Sequence, residues 1–170
     1  MTKKTEPLPE EEVMALLLEK RLHFATAESC TGGDIARRFT ELPGASAFFK
    51  GGVVSYVNEV KTALLGVDPQ LLEEKTAVCR EVAAAMAEGA RERLHTDMAV
   101  SVTGLAGPDG DGVHEVGTVF VSMAVEGRTY VHELHMGTKR TRSFIRRMSG
   151  NHAFDMMRRW LTGLKVEIVI

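Results

Sequence analysis

The spacing of apolar positions changes period repeatedly along this chain, and each change marks an element. After Pro9 and three glutamates, Val13, Leu16, Leu17 and Lys20 fall on one helical face. Proline at the first helical position and carboxylates at the positive end favour a helix start there. Leu22–Ala27 is a short apolar and β-branched run that reads as a strand. Asp34-Ile-Ala-Arg-Arg-Phe39 restores helical spacing within about Gly33–Leu42, and Pro43-Gly44 stops it. Phe48–Val57 predicts a second strand. Asn58 is then the expected cap of a short helix that carries Lys61 and ends at Gly66, and Asp68-Pro69 opens another. The alanine-rich stretch Arg80–Leu94 predicts a longer helix with Val82, Ala83, Met86 and Ala90 as its buried stripe. Asp97–Val102 is a strand that runs into the turn-rich loop Thr103–Gly112. Val116–Val125 and Arg128–Met136 predict an antiparallel hairpin about Glu126-Gly127. A last helix spans about Thr141 to Leu161, with Ile145, Met148, Phe154, Met157 and Leu161 inward. The tail Lys165–Ile170 alternates weakly, as an added edge strand would.

Helices between early strands and a hairpin late in the chain predict a three-layer α/β/α sandwich with a mixed sheet. A length of 170 residues is one domain, with residues 1–7 as a flexible leader. The net charge of −2 provides no broad basic field, so nucleic acid is not expected as a partner. Met1-Thr-Lys-Lys is followed by Pro7-Leu-Pro-Glu rather than an apolar core, and no apolar run is long enough to span a membrane. Two cysteines are too few for a disulfide framework or a four-cysteine metal site. The expectation is a soluble cytoplasmic protein.

Candidate chemistry concentrates where strands end. Ser29-Cys-Thr-Gly-Gly33, Tyr56–Lys61 and Thr103-Gly-Leu-Ala-Gly-Pro108 are polar, glycine-marked turns, and open α/β sheets bind ligands beyond the carboxyl ends of their strands. The first turn offers a hydroxyl, a thiol and the free N–H groups of a following helix, which can hold an anion. A plain Ser/Thr cap with flexible glycines is the alternative. A serine nucleophile needs a base, and no histidine is evidently placed to serve it. Lys61 can serve if burial lowers its pKa, with Tyr56 to orient it or relay its proton; a solvated helix lysine and a strand-end aromatic are the alternatives. Cys30 is the rival nucleophile at a helix N-terminus, though a small buried residue behind the turn accounts for it better. Cys79 and the six histidines read as core or surface residues rather than metal ligands. Thr103–Gly112 lacks the Gly-Lys-Ser/Thr of a Walker loop but can present backbone N–H groups. Among Lys139, Arg140, Arg142, Arg146 and Arg147, one arginine turned inward can bind a phosphate, against the alternative of a solvated face.

Several ungapped blocks, from about Leu8 to Leu161, resemble the C-terminal domain of the competence/damage-inducible protein CinA. They are Thr26-Ala-Glu-Ser-Cys-Thr-Gly-Gly33, Pro43-Gly-Ala-Ser46, Gly51-Gly-Val-Val-Ser-Tyr-Val-Asn-Glu-Val-Lys61, Leu65-Gly-Val67, Met86-Ala-Glu-Gly-Ala90, Thr103-Gly-Leu-Ala-Gly-Pro108 and Val116-Gly-Thr-Val119. The stand-alone form of that domain is nicotinamide-nucleotide amidase. The resemblance implies hydrolysis of the carboxamide of nicotinamide mononucleotide to nicotinate mononucleotide and ammonia. It implies a small-molecule nucleotide substrate, no cofactor, no metal, and a homo-oligomer, commonly a dimer. The additional N-terminal domain of larger CinA proteins is not in this sequence, so the stand-alone form is the one expected. Carried over, Ser29 is the nucleophile, Lys61 the general base and Tyr56 the assisting hydroxyl. Glu28, Cys30, Thr31, Gly32, Gly33, Gly52, Thr103, Gly104, Ala106, Gly107 and Arg146 then bind the substrate. Two departures stand out. Glu115-Val116-Gly117 replaces Pro-Val-Gly, and Gly137-Thr138-Lys139 replaces Gly-Asp-Arg before the last helix. Arg140, Arg142 and Arg146 therefore all remain candidates for the phosphate, with Arg146 preferred. A non-catalytic nucleotide-binding module is the alternative to an enzyme. A short-chain oxidoreductase is set aside, because Tyr56 and Lys61 are separated by four residues rather than three and no glycine fingerprint follows the first strand.

Overall fold

The computed structural model describes residues 7–166, so the expected leader (but for Pro7) and most of the expected tail strand (167–170) lie outside the described residues. Along the chain, α1 (Pro9–Lys20) leads to β1 (Phe24–Glu28), α2 (Asp34–Thr40), a single 3₁₀ turn (Ala45–Ala47) and β2 (Phe49–Val54). Then come α3 (Asn58–Leu65), α4 (Pro69–Lys75), α5 (Arg80–Arg93), β3 (Met98–Gly104), β4 (Thr118–Val125), β5 (Arg128–His135) and α6 (Arg142–Leu161). Local chemistry sets several boundaries. Pro9 and Pro69 occupy first turns, and Asp68 accepts a hydrogen bond from the Gln70 N–H at 2.9 Å. The Thr141 hydroxyl likewise accepts from Phe144 N.

The strand order is β2-β1-β3-β4-β5. The first three strands are parallel, and β4 runs antiparallel to both β3 and β5. This is the mixed sheet of the expected three-layer sandwich. From β1 the chain moves outward to β2, then returns to lay β3 on β1's other side. The carboxyl ends of β1 and β3 therefore flank a topological switch point, where such sheets form crevices.

Strand side chains alternate between two helical layers. Phe24, Met98, Val100 and Val102 pack with Val13, Leu17, Ile35, Phe39, Ile145 and Phe154 of α1, α2 and α6. Phe39 is the hub, with ring centroids 5.0 Å from Phe24, 5.4 Å from Phe48 and 5.1 Å from Phe154. On the other face the two central strands β1 and β3 present the small residues Ala25, Ala27 and Ala99 to Val82, Met86 and Ala90 of α5, and β4 adds Phe120 against Ala83. The alanines of β1 and β3 let α5 lie close, and Ser101 Oγ donates to the Ala83 carbonyl at 2.6 Å. Close approach recurs where α3 meets α5: a Cβ on Gly89 would land on the Leu65 carbonyl.

Polar links tie the layers together. The Arg38 guanidinium donates to both Glu10 oxygens (3.0 and 2.6 Å) and to Asn151 Oδ1 (2.9 Å), joining α2 to α1 and α6. It also lies 4.4 Å over the Phe154 ring. Burial pushes the Glu10 carboxyl up, but the hydrogen bonds from Arg38 and the backbone, together with the charges of Arg38 and Arg37, outweigh it and hold the pKa low. His132 Nδ1 and His152 Nε2 stand 2.8 Å apart between β5 and α6. On the outer strand, Arg80 Nη1 donates to the Val131 carbonyl at 2.7 Å.

Three expectations need correction. Met148 is exposed rather than inward, because α6 buries the stripe Ile145, Ser149, Phe154, Met156 and Met157 instead. The second strand ends at Val54, which frees Ser55 and Tyr56 for the crevice. Asn58 is the first residue of α3 rather than its cap; Val57 holds that place without a side-chain bond. Among the described residues, no helix is long and apolar enough to cross a membrane.

Candidate active site

Strand pairing carries past the strand ends and fixes the backbone of the crevice. Ser29 N donates to Val102 O at 2.9 Å, and Ser55 N donates to Glu28 O at 2.8 Å. Ser29 thus sits between β1 and β3, with Ser55 beside it from β2. One turn into α3, Lys61 reaches back under this floor. Its side chain is 1 % exposed, yet its Nζ donates to the Ser55 carbonyl at 2.8 Å and to Ser29 Oγ at 3.3 Å. Burial lowers the Lys61 pKa from its ordinary 10.5, because the charged ammonium is the form that desolvation penalises. A carboxylate partner would reverse that shift. The two acceptors on Nζ are instead neutral oxygens. A lysine whose charged form is disfavoured by burial, beside a serine hydroxyl, is an arrangement that can take the serine's proton.

The thiol next to Ser29 is a different case. Cys30 is buried, and burial pushes its pKa up to about 12. It stays a neutral thiol at the helix end and behaves as a small packing residue.

The turn after Cys30 needs its glycines for conformation. Gly32 and Gly33 adopt φ of +62° and +91°, in the left-handed region that disfavours a Cβ. The helix N-terminus that they open is already occupied. The carboxylate of Glu28, fully buried, accepts from Ile35 N at 3.1 Å and Ala36 N at 2.9 Å. Glu28 therefore caps α2 from the end of β1, and the N–H groups expected to hold an anionic ligand hold this side chain.

A cleft of about 240 Å³ opens above Ser29 and Lys61. It brings together eight of the expected residues: Ser29, Cys30, Tyr56, Lys61, Thr103, Gly104, Ala106 and Gly107. Thr103 spends its hydroxyl on the Ala77 carbonyl at 2.7 Å, which ties β3 to the segment entering α5. Tyr56 is 58 % exposed at the cleft wall, and its hydroxyl accepts from Arg142 Nη2 at 2.7 Å. Arg142 Nη1 also donates to the Gly107 carbonyl at 2.8 Å, so one guanidinium joins the Tyr56 and Gly107 sides of the cleft.

Six expected residues are not among the cleft's lining. Glu28 is the helix cap. Thr31 is fully buried, Gly32 and Gly33 form the turn, and Gly52 closes on Thr26, whose Oγ1 a Cβ there would strike. Arg146 donates through Nε (3.1 Å) and Nη2 (2.7 Å) to the Thr31 carbonyl, outside the cleft. The arginine in the cleft is Arg142, one turn earlier on α6. Asn58, Ala77, Val78, Leu105 and Asp109 complete the lining without having been singled out. For Asn58, read only as a helix cap, the available signal was a polar residue within the flagged Tyr56–Lys61 turn, and for Asp109 one directly after the flagged turn ending at Pro108.

Residues 7–161 match the family model for the CinA C-terminal domain. The chain belongs to the CinA C-terminal domain family. It is 46 % identical over 146 residues to a CinA-like protein of Gloeobacter violaceus, a match covering 85 % of this chain and 34 % of that protein. It is 47 % identical over 152 residues to a putative competence-damage inducible protein of Acetivibrio thermocellus, covering 88 % and 36 %. The chain thus spans about a third of the length of these curated relatives. Among solved structures it is similar to the competence/damage inducible protein CihA of Agrobacterium tumefaciens. That match has 36 % identity and a TM-score of 0.84, over 94 % of this chain and 99 % of that one. A CinA superfamily protein of Escherichia coli matches at 30 % identity and a TM-score of 0.83, over 91 % and 90 %.

Proposed function

We propose that this CinA-family chain is an amidohydrolase that cleaves a small carboxamide through Ser29, with nicotinamide mononucleotide as the substrate the family resemblance implies. The observation that carries the reading is Lys61: a buried amine, pKa lowered by burial, with Nζ 3.3 Å from Ser29 Oγ. In the neutral amine one N–H stays on the Ser55 carbonyl, and the lone pair is left for the serine proton.

As Ser29 Oγ bonds to the amide carbon, Lys61 takes the hydroxyl proton. It then delivers that proton to the amide nitrogen as the C–N bond breaks, and ammonia leaves an acyl-serine. Water enters, loses a proton to Lys61, and attacks the acyl carbon. The C–Oγ bond breaks, the proton returns to Ser29, and a carboxylic acid is released. Tyr56 and Arg142 stand at the cleft wall, where the remote end of the substrate extends. Arg142 is the arginine proposed for the phosphate, because a guanidinium fork suits a phosphoryl group and this one lines the cleft. Tyr56 positions that guanidinium through their shared hydrogen bond.

The test is ammonia release from nicotinamide mononucleotide, nicotinamide riboside and nicotinamide. Ser29→Ala should abolish release while leaving the melting curve intact, and Cys30→Ala should keep most of it. Arg142→Ala should raise KM for the mononucleotide and leave the riboside unaffected. An active Ser29→Ala variant, or a wild-type chain that releases no ammonia from any of the three, sinks the reading.

A further inference from the structure

Outside the cleft, α2 and the start of α6 enclose a groove of about 420 Å³ lined by Asp34, Arg37, Arg38, Ser143, Arg146 and Arg147. Four guanidiniums face one carboxylate there. Two of the four are already committed. Arg38 is held by Glu10 and Asn151, and Arg37 is paired with Asp34 and Glu41. The other two are not. Arg147 is exposed and donates to no described group. Arg146 spends Nε and Nη2 on the Thr31 carbonyl, which leaves its Nη1 with no described acceptor. Ser143 adds a hydroxyl in the first turn of α6, at the positive end of a 20-residue helix.

We propose that this groove is a second anion site, separate from the cleft, that takes a phosphorylated small molecule. A phosphoryl group seated between Arg146 Nη1 and Arg147 receives charge-assisted hydrogen bonds from two guanidiniums. It needs no existing bond to break, because Arg146 keeps both of its contacts to Thr31. The groove has room beside one phosphoryl group, and the proposed ligand sets a second phosphoryl or a nucleoside there. Arg146 links this site to the chemistry. The carbonyl it holds lies two residues after Ser29, in the turn whose two glycines have left-handed backbones. An anion that fixes Arg146 therefore stiffens the turn that carries the serine. The binding claim is independent of the amidase reading, since it requires no turnover.

Calorimetric titration of the full chain with orthophosphate, pyrophosphate and adenosine 5′-monophosphate, at fixed ionic strength in sodium chloride, tests it. Arg142→Ala removes the guanidinium proposed for phosphate in the cleft, so one saturable site, the groove, is expected to remain in that background. Arg147→Glu added to that background, an exposed change whose folding is checked by its melting curve, should weaken the remaining binding by about ten-fold or more. Tighter binding of pyrophosphate assigns a diphosphate ligand; tighter binding of the monophosphate nucleoside assigns a nucleotide. Unchanged binding on adding Arg147→Glu, loss of binding in Arg142→Ala, or a non-saturating response that chloride reproduces overturns the proposal.

Discussion

Gly89 lies inside α5, where replacing glycine by alanine ordinarily stabilises a helix by about 1 kcal/mol. In this chain the same change is expected to do the opposite and to reach the chemistry. The added methyl would land on the Leu65 carbonyl oxygen, 2.8 Å from its carbon and 3.1 Å from the Leu65 Cα. Carbon atoms settle at roughly 3.5–4 Å, so α3 and α5 must part by about 1 Å. Both sides of the contact are backbone, and no rotamer change relieves it. Overpacking costs about 1–3 kcal/mol, and a clash of backbone on backbone belongs to the upper part of that range, so about 1–2 kcal/mol remains after the gain in propensity. The expected fall in Tm is roughly 2–8 °C for a domain of this size. Leu65 is one turn after Lys61 on α3, and Val67 N is bonded to the Lys61 carbonyl, so the two move together. The Lys61–Ser29 contact is already long at 3.3 Å. A further displacement on the order of 1 Å breaks it and should lower kcat by about 10²-fold. Thermal melts read the first effect and ammonia release the second. A Gly89→Ala variant that melts higher than wild type refutes the packing argument. One that melts lower but turns over normally refutes the coupling of α3 to the serine.

Lys61, the His132–His152 pair and Arg38 each carry a further outcome. Lys61→Arg should be nearly as damaging as Lys61→Ala, since arginine does not give up its proton at working pH. Because burial lowers the Lys61 pKa, wild-type turnover should rise with pH as the neutral amine fills; a near wild-type arginine variant would leave Lys61 only an electrostatic role. Burial, reinforced by the His132 charge, pushes His152 from 6.5 down to about 4, so between those values the unfolded chain binds the extra proton. Stability should therefore fall as pH drops from about 6.5 to 4, and melts of a His132→Gln/His152→Gln variant should lose that part of the slope. Arg38→Ala should cost about 3–5 kcal/mol in chemical denaturation by stranding Glu10, whereas Glu10→Leu combined with Arg38→Met should recover most of it.

The alternation of strands and helices was readable because each element carries its own signal: Pro9 and Pro69 at helix starts, the alanine stripe of α5, the Glu126-Gly127 turn of the hairpin. The meeting of Ser29 and Lys61 was readable because both follow strands that end on one side of a parallel sheet. What escaped is the destination of individual polar atoms. Glu28 looked like part of a ligand site, yet it is the anion that the helix end binds. Arg142 and Arg146 share a helix face four residues apart, and sequence spacing does not say which carbonyl, Gly107 or Thr31, each one meets. Met148 keeps helical register with Ile145, but the layer beneath α6 is filled by Phe154 and its neighbours before Met148 can turn in.

The bond from Arg80 to the Val131 carbonyl bears on how the molecule behaves in a crowd. Among the described residues β5 is an outer strand of eight residues, and an outer strand offers a row of backbone groups to any extended chain that drifts alongside. A guanidinium parked on the middle of that row takes an acceptor that a recruited strand would require. The first residue of α5 thereby withholds one edge acceptor, at a position that looks in the sequence like an unremarkable start to a helix.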